Sequence, residues 1–211
     1  MERVVDFYFD LISPFSYFAH HRLPDLAARY GYGVRYHPVD LKALKLLAGN
    51  AAPATRDIPI KLAYARIDQK RWAARYGIPV KPPQEYAPSL LNKGALFAPH
   101  AGEAGRYVAL AFHKVWGEGG PMTSEPLLRA LASGMGWDFL AFDAFIRSEE
   151  ADERYARSTQ SAHERGVFGV PTMMVGDDLW WGNDRLDFLS EHLDRLQAER
   201  VSLHAAAALT K

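Results

Sequence analysis

Strand-forming patterns occur at the two ends of this chain, and that distribution limits the fold more than any other feature of its 211 residues. Residues 4–11 are rich in β-branched and aromatic side chains, which predicts a buried strand. A helix is expected from residue 14 to about residue 30, because Ser13 and Pro14 suit its start and Gly31 its end. Residues 33–39 predict a second strand, so the chain opens with a parallel β-α-β unit.

The middle of the chain has helically spaced apolar residues and almost no strand signal. Helices are predicted at 60–76, 103–116, 125–133, 138–148 and 150–165, with a Pro-rich connector at 80–88. Strand signals return at 167–175 and 179–181 and predict a hairpin, after which Asn183 or Asp184 is expected to cap a last helix. We therefore expect an α/β fold in which residues 1–42 and 166–211 form one domain and residues 43–165 an all-helical insertion.

Composition excludes several classes of function. The 25 Lys and Arg residues balance 25 Asp and Glu residues, which argues against a nucleic-acid partner. Cys is absent, so thiol chemistry would need a thiol brought by a ligand. The eight His are scattered, so no metal is expected, and His20 and His21 are expected on the surface of the first helix. No apolar run suits a membrane span and the start lacks a signal-peptide pattern, which favours the cytoplasm.

The segment Ser13-Pro14-Phe15-Ser16 lies where the first strand gives way to the first helix. Taken alone, it is best interpreted as a helix cap, with Ser at the cap and Pro at the first helical position. The cap leaves room for a second role, because a helix N-terminus offers free N–H groups and a positive dipole end to an anion. A thiolate bound there would be favoured over a thiol, and a hydroxyl donating to its sulfur would favour it further.

Two segments near the C-terminus admit a structural and a functional interpretation. Pro171 is either an edge-strand proline or part of a cis Val170–Pro171 bond, which would free the backbone of Val170 to pair with a peptide-like ligand. The stretch from Trp181 to Asp184 most simply provides a helix cap, although a carboxylate there could also hold a ligand ammonium group.

A third segment, Thr55-Arg56-Asp57, follows the second strand, with Lys45 upstream. Basic residues in such a loop are usually solvated surface. Arg56 becomes a candidate clamp for a carboxylate if this loop folds over the Ser13 segment. Trp72, Trp116 and Trp137 are expected to be core or helix-contact residues.

The order of these features resembles the thioredoxin layout, with Ser13-Pro14-Phe15-Ser16 in place of the usual CPxC. The likeness is closer to one family, the kappa-class glutathione-transferase-like 2-hydroxychromene-2-carboxylate isomerases. It is carried by DFYFDLISPFSYFAHHRL (6–23), RWAARYGIP (71–79), VWGEG (115–119), FGVPTM (168–173) and WWGNDRL (180–186). The resemblance spans the chain up to about residue 196.

This resemblance implies a thioredoxin-like domain with a helical insertion, glutathione as cofactor and a homodimer. Ser13 matches the catalytic serine beside the glutathione sulfur, and Val170 the residue whose backbone pairs with the cysteinyl unit. The positions matching the γ-glutamyl site are Trp181, Gly182, Asn183 and Asp184. Those on the substrate side are Lys45, Thr55, Arg56 and Tyr86, of which Thr55 departs from the asparagine of the family pattern.

The family reaction interconverts 2-hydroxychromene-2-carboxylate and trans-o-hydroxybenzylidenepyruvate, a step in naphthalene breakdown. The resemblance therefore implies a small aromatic carboxylate as substrate. Two other functions use the same glutathione site. One is a kappa-type glutathione transferase or peroxidase acting on electrophiles, and the other is a catalytically silent glutathione-binding thioredoxin fold.

Overall fold

A mixed four-stranded sheet joins the two ends of the chain in the computed structural model, which describes residues 2–97 and 102–209. Its strands are β1 (Val4–Phe9), β2 (Gly33–Pro38), β3 (Thr172–Val175) and β4 (Asp178–Trp181), in the order β2-β1-β3-β4. β1 runs parallel to β2 and antiparallel to β3, and β3 and β4 form the predicted hairpin. The expected α/β fold with β-α-β and β-β-α ends is confirmed.

Helices cover both faces of this sheet. The side chains of β1 alternate, so Val5, Phe7 and Phe9 join the main core while Tyr8 joins a second cluster on the opposite face. The main core also contains residues of helix α1 (Pro14–Arg29) and of the C-terminal helix, which spans Leu186–Leu209. The polar positions of residues 4–11, Asp6 and Asp10, alternate with Val5, Phe7 and Phe9, so one face of β1 is wholly apolar and the other also takes part in polar contacts.

The segment between β2 and β3 is helical, and its described residues contain no strand. Its α-helices are α2 (Leu41–Leu47), α3 (Pro59–Tyr76), α4 (Ser89–Gly94), α5 (Glu103–Phe112), α6 (Glu125–Met135), α7 (Phe139–Ile146) and α8 (Glu149–Glu164). The C-terminal helix is therefore α9. A short 3-10 helix spans Thr55–Asp57, and a π-helical turn, His113–Gly117, continues α5. Among the described residues, no helix is long and apolar enough to cross a membrane.

His20 corrects one expectation, because it is 7% exposed rather than on the surface. Its ring lies among Phe7, Tyr36 and Phe112, with centroid distances of 6.3, 5.6 and 5.7 Å. Burial lowers the pKa of His20 to about 4, so the imidazole is neutral near pH 7. His21, on the next position of the helix, is exposed as expected.

Asp6 ties β1 to its neighbours on the other face of the sheet. His37 Nε2 donates to its carboxylate at 2.7 Å and Arg165 Nη1 at 2.8 Å. Burial by itself raises the pKa of Asp6, but these hydrogen bonds and charges outweigh it and lower the pKa to about 2. The charged carboxylate thereby links β1, β2 and the end of α8.

Candidate functional site

Ser13 is the N-cap of α1, as the sequence predicts. Its Oγ accepts the N–H of Ser16 at 3.2 Å, and its carbonyl accepts the N–H of Tyr17 at 3.2 Å. Because Oγ serves as an acceptor in the cap, its own proton remains available for donation to a ligand. The N–H of Phe15 has no partner among the described residues, so it is an open donor at the positive end of the helix dipole.

The loop before Ser13 is held by a buried polar network. Asp10, 2% exposed, accepts the N–H of Ile12 at 3.0 Å and Asn92 Nδ2 at 2.7 Å through Oδ1, and the N–H of Leu41 at 3.0 Å through Oδ2. Burial raises the pKa of Asp10 to about 6, and these donors limit the rise. The carbonyl of Asp10 accepts the N–H of Ser13 at 3.0 Å. The network therefore fixes where α1 begins.

Two residues of the helical segment complete this network. Asn92 Oδ1 accepts the N–H of Leu11 at 3.0 Å, and its Nδ2 also donates to Tyr155 at 2.8 Å. Trp116 Nε1 donates to the carbonyl of Leu11 at 2.8 Å. Sequence reasoning assigned Asn92 no role and Trp116 only a core role. No local pattern reveals these contacts, because the partners lie 81 and 105 residues apart in the chain.

Val170 lies at the same end of the sheet as the Ser13 loop, since Tyr8 pairs with Thr172 in antiparallel neighbours. The Val170–Pro171 bond is cis, so of the two interpretations of Pro171 the cis bond is correct. Neither the N–H nor the carbonyl of Val170 has a hydrogen-bond partner among the described residues. This backbone is thus free to pair with an extended peptide in the manner of an added strand.

The turn after β4 differs from the predicted helix cap. Gly182, with φ of 115°, precedes a 3-10 turn that includes Asn183 and Asp184, and neither of these side chains caps it. A Cβ at Gly182 would lie 2.3 Å from Asp184 Oδ1, so a larger residue does not fit without a shift. Asn183 is 4% exposed, and its side-chain amide interacts with the Tyr76 hydroxyl, whose pKa it lowers against the larger effect of burial. Trp181 is half exposed, with its ring 4.9 Å from that of Phe168.

A groove of about 350 Å³ begins at this turn and runs between α1, α3 and the start of α9. Asn183 and Asp184 line it together with Arg22, Arg75 and Tyr76. Neither arginine forms an ion pair with a carboxylate of the described residues; Arg22 lies 5.6 Å from the centre of the Tyr76 ring. The groove therefore presents carboxylates and guanidinium groups together, which suits a ligand carrying both signs of charge.

The expected substrate side is open and cationic. The guanidinium carbon of Arg56 lies 5.5 Å from the centre of the Tyr86 ring, and that ring lies 6.3 Å from Trp116. Since Trp116 also contacts Leu11, Tyr86 lies two contacts and Arg56 three contacts away from the Ser13 loop. Lys45 is partly buried in the last turn of α2 and forms no ion pair with a described residue, whereas Thr55 is exposed.

The chain is similar to known proteins over nearly its whole length. The family model of the DSBA-like thioredoxin domain matches residues 4–194. A 2-hydroxychromene-2-carboxylate isomerase from Pseudomonas putida is 44% identical over 200 residues, which cover 95% of this chain and 98% of that protein. A glutathione S-transferase kappa 2 from Caenorhabditis elegans is 26% identical and covers 90% of this chain and 92% of its own.

A solved structure of a 2-hydroxychromene-2-carboxylate isomerase superposes with a TM-score of 0.91 at 44% identity. The superposition covers 95% of this chain and 98% of the other. The likeness therefore includes both the sheet and the helical segment that carries Asn92 and Trp116.

Proposed function

Because the chain belongs to the DSBA-like thioredoxin family and, within it, to the 2-hydroxychromene-2-carboxylate isomerases, we propose that it is a glutathione-dependent isomerase of this kind. The reaction interconverts 2-hydroxychromene-2-carboxylate and trans-o-hydroxybenzylidenepyruvate, in the breakdown of aromatic hydrocarbons such as naphthalene. The observation that carries the proposal is a helix N-terminus suited to a thiolate in a protein that has no thiol side chain to place there. Ser13 and the free N–H of Phe15 mark a helix N-terminus in a chain that has no Cys.

The residues around this position fit glutathione. The unpaired N–H and carbonyl of Val170 match the backbone of a cysteinyl unit, whose side chain would then lie near Ser13. The γ-glutamyl end carries an ammonium and a carboxylate, and the groove at Asn183 and Asp184 offers groups of both signs. The buried amide of Asn183, which lies beside the Tyr76 hydroxyl, adds a donor at the same turn.

Opening of the chromene ring breaks its C–O bond, transfers the hydroxyl proton to the phenol oxygen and leaves a conjugated C=C bond. Glutathione would supply a thiolate that adds reversibly to that bond, which lets it rotate before the thiolate leaves. The protein's part is to keep the sulfur ionised and the substrate in place. The hydroxyl of Ser13 and the N–H of Phe15 donate to the sulfur, and the dipole of α1 favours its negative charge. These groups can lower a thiol pKa from ~8.5 by one or more units.

The cationic side would hold the anionic substrate. Arg56 and Lys45 bind the carboxylate and stabilise the enolate charge that develops during thiolate addition. Tyr86, held between Arg56 and Trp116, orients the aromatic ring of the substrate. Thr55, next to Arg56 in the same short 3-10 helix, would contact the same ligand.

The experiment is to measure isomerisation in thiol-free buffer and with glutathione added. We expect activity to depend on glutathione, because the chain has no nucleophilic sulfur of its own. Full activity without any thiol would refute the proposal. S-methylglutathione should bind at the same site and inhibit, because it retains both ends of glutathione but its sulfur cannot ionise.

A kappa-type glutathione transferase or peroxidase is the second candidate, since the kappa relative from Caenorhabditis elegans covers most of the chain. It would use the same thiolate but end in a stable conjugate or disulfide. Supplying a neutral electrophile and analysing products separates the two functions, because the cations at Lys45 and Arg56 favour an anionic substrate. A silent binder would instead take up glutathione without the ultraviolet absorbance of a thiolate.

We further propose a cytoplasmic homodimer. The face of α3 that carries Ile60, Tyr64 and Ile67 is exposed by 80%, 61% and 50%, which is unusual for apolar residues on one helix face. Light scattering of the purified protein tests the oligomeric state, and cell fractionation tests the compartment.

A further inference from the structure

Trp116 contacts both sides of the candidate site. The residue is 2% exposed and lies in the π-helical turn His113–Gly117. On one side its Nε1 donates to the carbonyl of Leu11 at 2.8 Å. On the other side its ring packs against that of Tyr86 with an interplanar angle of 55°. Tyr86 in turn contacts the guanidinium group of Arg56.

The carbonyl of Leu11 needs this partner for a local reason. In a longer helix it would accept the N–H of Phe15, four residues on. Pro14 disfavours a helical conformation at Ser13, whose ψ of 116° is extended, so α1 cannot begin earlier. The carbonyl is therefore left at a buried position, where a polar group without a hydrogen bond is costly. The indole satisfies it and leaves the N–H of Phe15 open.

The backbone of Trp116 also fixes the connector that carries Tyr86. The N–H of Lys81 donates to the Trp116 carbonyl at 2.6 Å, and the Tyr17 hydroxyl donates to the carbonyl of Pro79 at 3.0 Å. The connector is thus held both to the π-helical turn and to the first turns of α1. Trp116 consequently contacts both the Ser13 loop, which Asp10 and Asn92 also hold, and the connector that carries the aromatic ring on the substrate side.

We propose that Trp116 is a positioning residue that aligns the thiolate site at Ser13 and Phe15 with the substrate cations at Arg56. The inference rests on the proposed glutathione-dependent function. A purely structural Trp116 would contribute packing alone, and its replacement by a smaller aromatic ring would lower stability without changing the ionisation of bound glutathione.

The test compares Trp116→Phe with Trp137→Phe. Trp137 lies in the same helical segment and stacks on Tyr107 at 5.4 Å, but its buried Nε1 has no hydrogen-bond partner among the described residues. Both substitutions therefore shrink a ring, and Trp116→Phe alone removes a hydrogen bond. We expect Trp116→Phe to lower kcat about tenfold and to raise the pH at which bound glutathione ionises. A tenfold change equals about 1.4 kcal/mol, which lies within the free-energy cost of leaving a buried carbonyl unsatisfied.

Trp137→Phe should change neither the thiolate titration nor kcat. Equal titrations and equal kcat for the two variants would overturn the inference. If Trp116→Phe fails to fold, benzothienylalanine at position 116 keeps the bicyclic shape and removes only the N–H, and the same two outcomes apply. A wild-type protein that shows no thiolate absorbance with glutathione would refute the proposed function itself, which is a distinguishable result.

Discussion

Replacing Ser13 by alanine separates the two roles of its hydroxyl. The first role is structural, because Oγ accepts the N–H of Ser16, and losing such a cap costs about 1 kcal/mol of unfolding free energy. The second is the donated proton, and a hydrogen bond to a charged group contributes about 1.5–3 kcal/mol. That energy corresponds to about one to two pKa units on the bound thiol. We therefore expect Ser13→Ala to lower kcat at neutral pH by about ten- to a hundredfold.

Glutathione affinity should fall much less, because the variant retains the Val170 backbone and the groove at Asn183. The assay combines an ultraviolet thiolate titration of the complex, the glutathione Kd and steady-state kcat. Ser16→Ala is the matched control, since its buried Oγ has no hydrogen-bond partner in the described residues. Ser13→Thr should restore both the cap and the proton donor. Equal losses in kcat and in glutathione affinity would show that Ser13 only binds or caps.

Four further predictions follow from buried or charged groups. The pKa of Asp6 is depressed to about 2, so its stabilising effect is present above pH ~4 and lost as the pH falls towards 2. In urea denaturation, the free energy of unfolding of the wild type should fall by about 2 kcal/mol more than that of Asp6→Asn between pH ~4 and ~2. Parallel pH dependences of the two proteins would contradict this. Asn92→Ala should lower the free energy of unfolding by about 3 kcal/mol, since it leaves buried partners unsatisfied; a loss under ~0.5 kcal/mol, typical of an exposed site, would disprove the network. Arg56→Ala should raise the KM for the anionic substrate about tenfold while exposed Arg66→Ala does not, and identical KM values would exclude a carboxylate contact. Arg75→Ala should weaken glutathione but not cysteinylglycine, which lacks the γ-glutamyl end; equal effects on the two ligands would remove Arg75 from that subsite.

Local chemistry explains which parts of the structure were predictable. The cap at Ser13, the hairpin and the five predicted helices of the middle segment depend on neighbouring residues, and each was found close to where the pattern placed it, whereas the short helices α2 and α4 were not predicted. The cap after β4 was not, because Gly182 adopts a positive φ and starts a 3-10 turn that takes in Asn183 and Asp184. His20 looked like a surface residue because nothing nearby in sequence shows that Phe112 covers it.

The sequence indicated the groups of the candidate site that would face a ligand, but not the residues that hold those groups in place. The resemblance named Ser13 and Val170, and the structure places them at one end of the sheet, although their roles remain predictions. Asn92 and Trp116 escaped notice because their hydrogen bonds to Leu11 span most of the chain. An isolated Asn or Trp has no spacing that distinguishes a loop anchor from an ordinary core residue.

The pattern of satisfied and unsatisfied groups gives the strongest link between this fold and a borrowed thiol. The N–H groups of Leu11, Ile12, Ser13, Ser16 and Tyr17 all have partners. In the same described segment Phe15 has none, and neither does the backbone of Val170 across the sheet end. A loop held this firmly cannot move to satisfy those groups itself, so a ligand must do so or water must. A peptide carrying a thiolate would meet both needs at once, since its backbone pairs with Val170 while its sulfur accepts from Phe15 and Ser13.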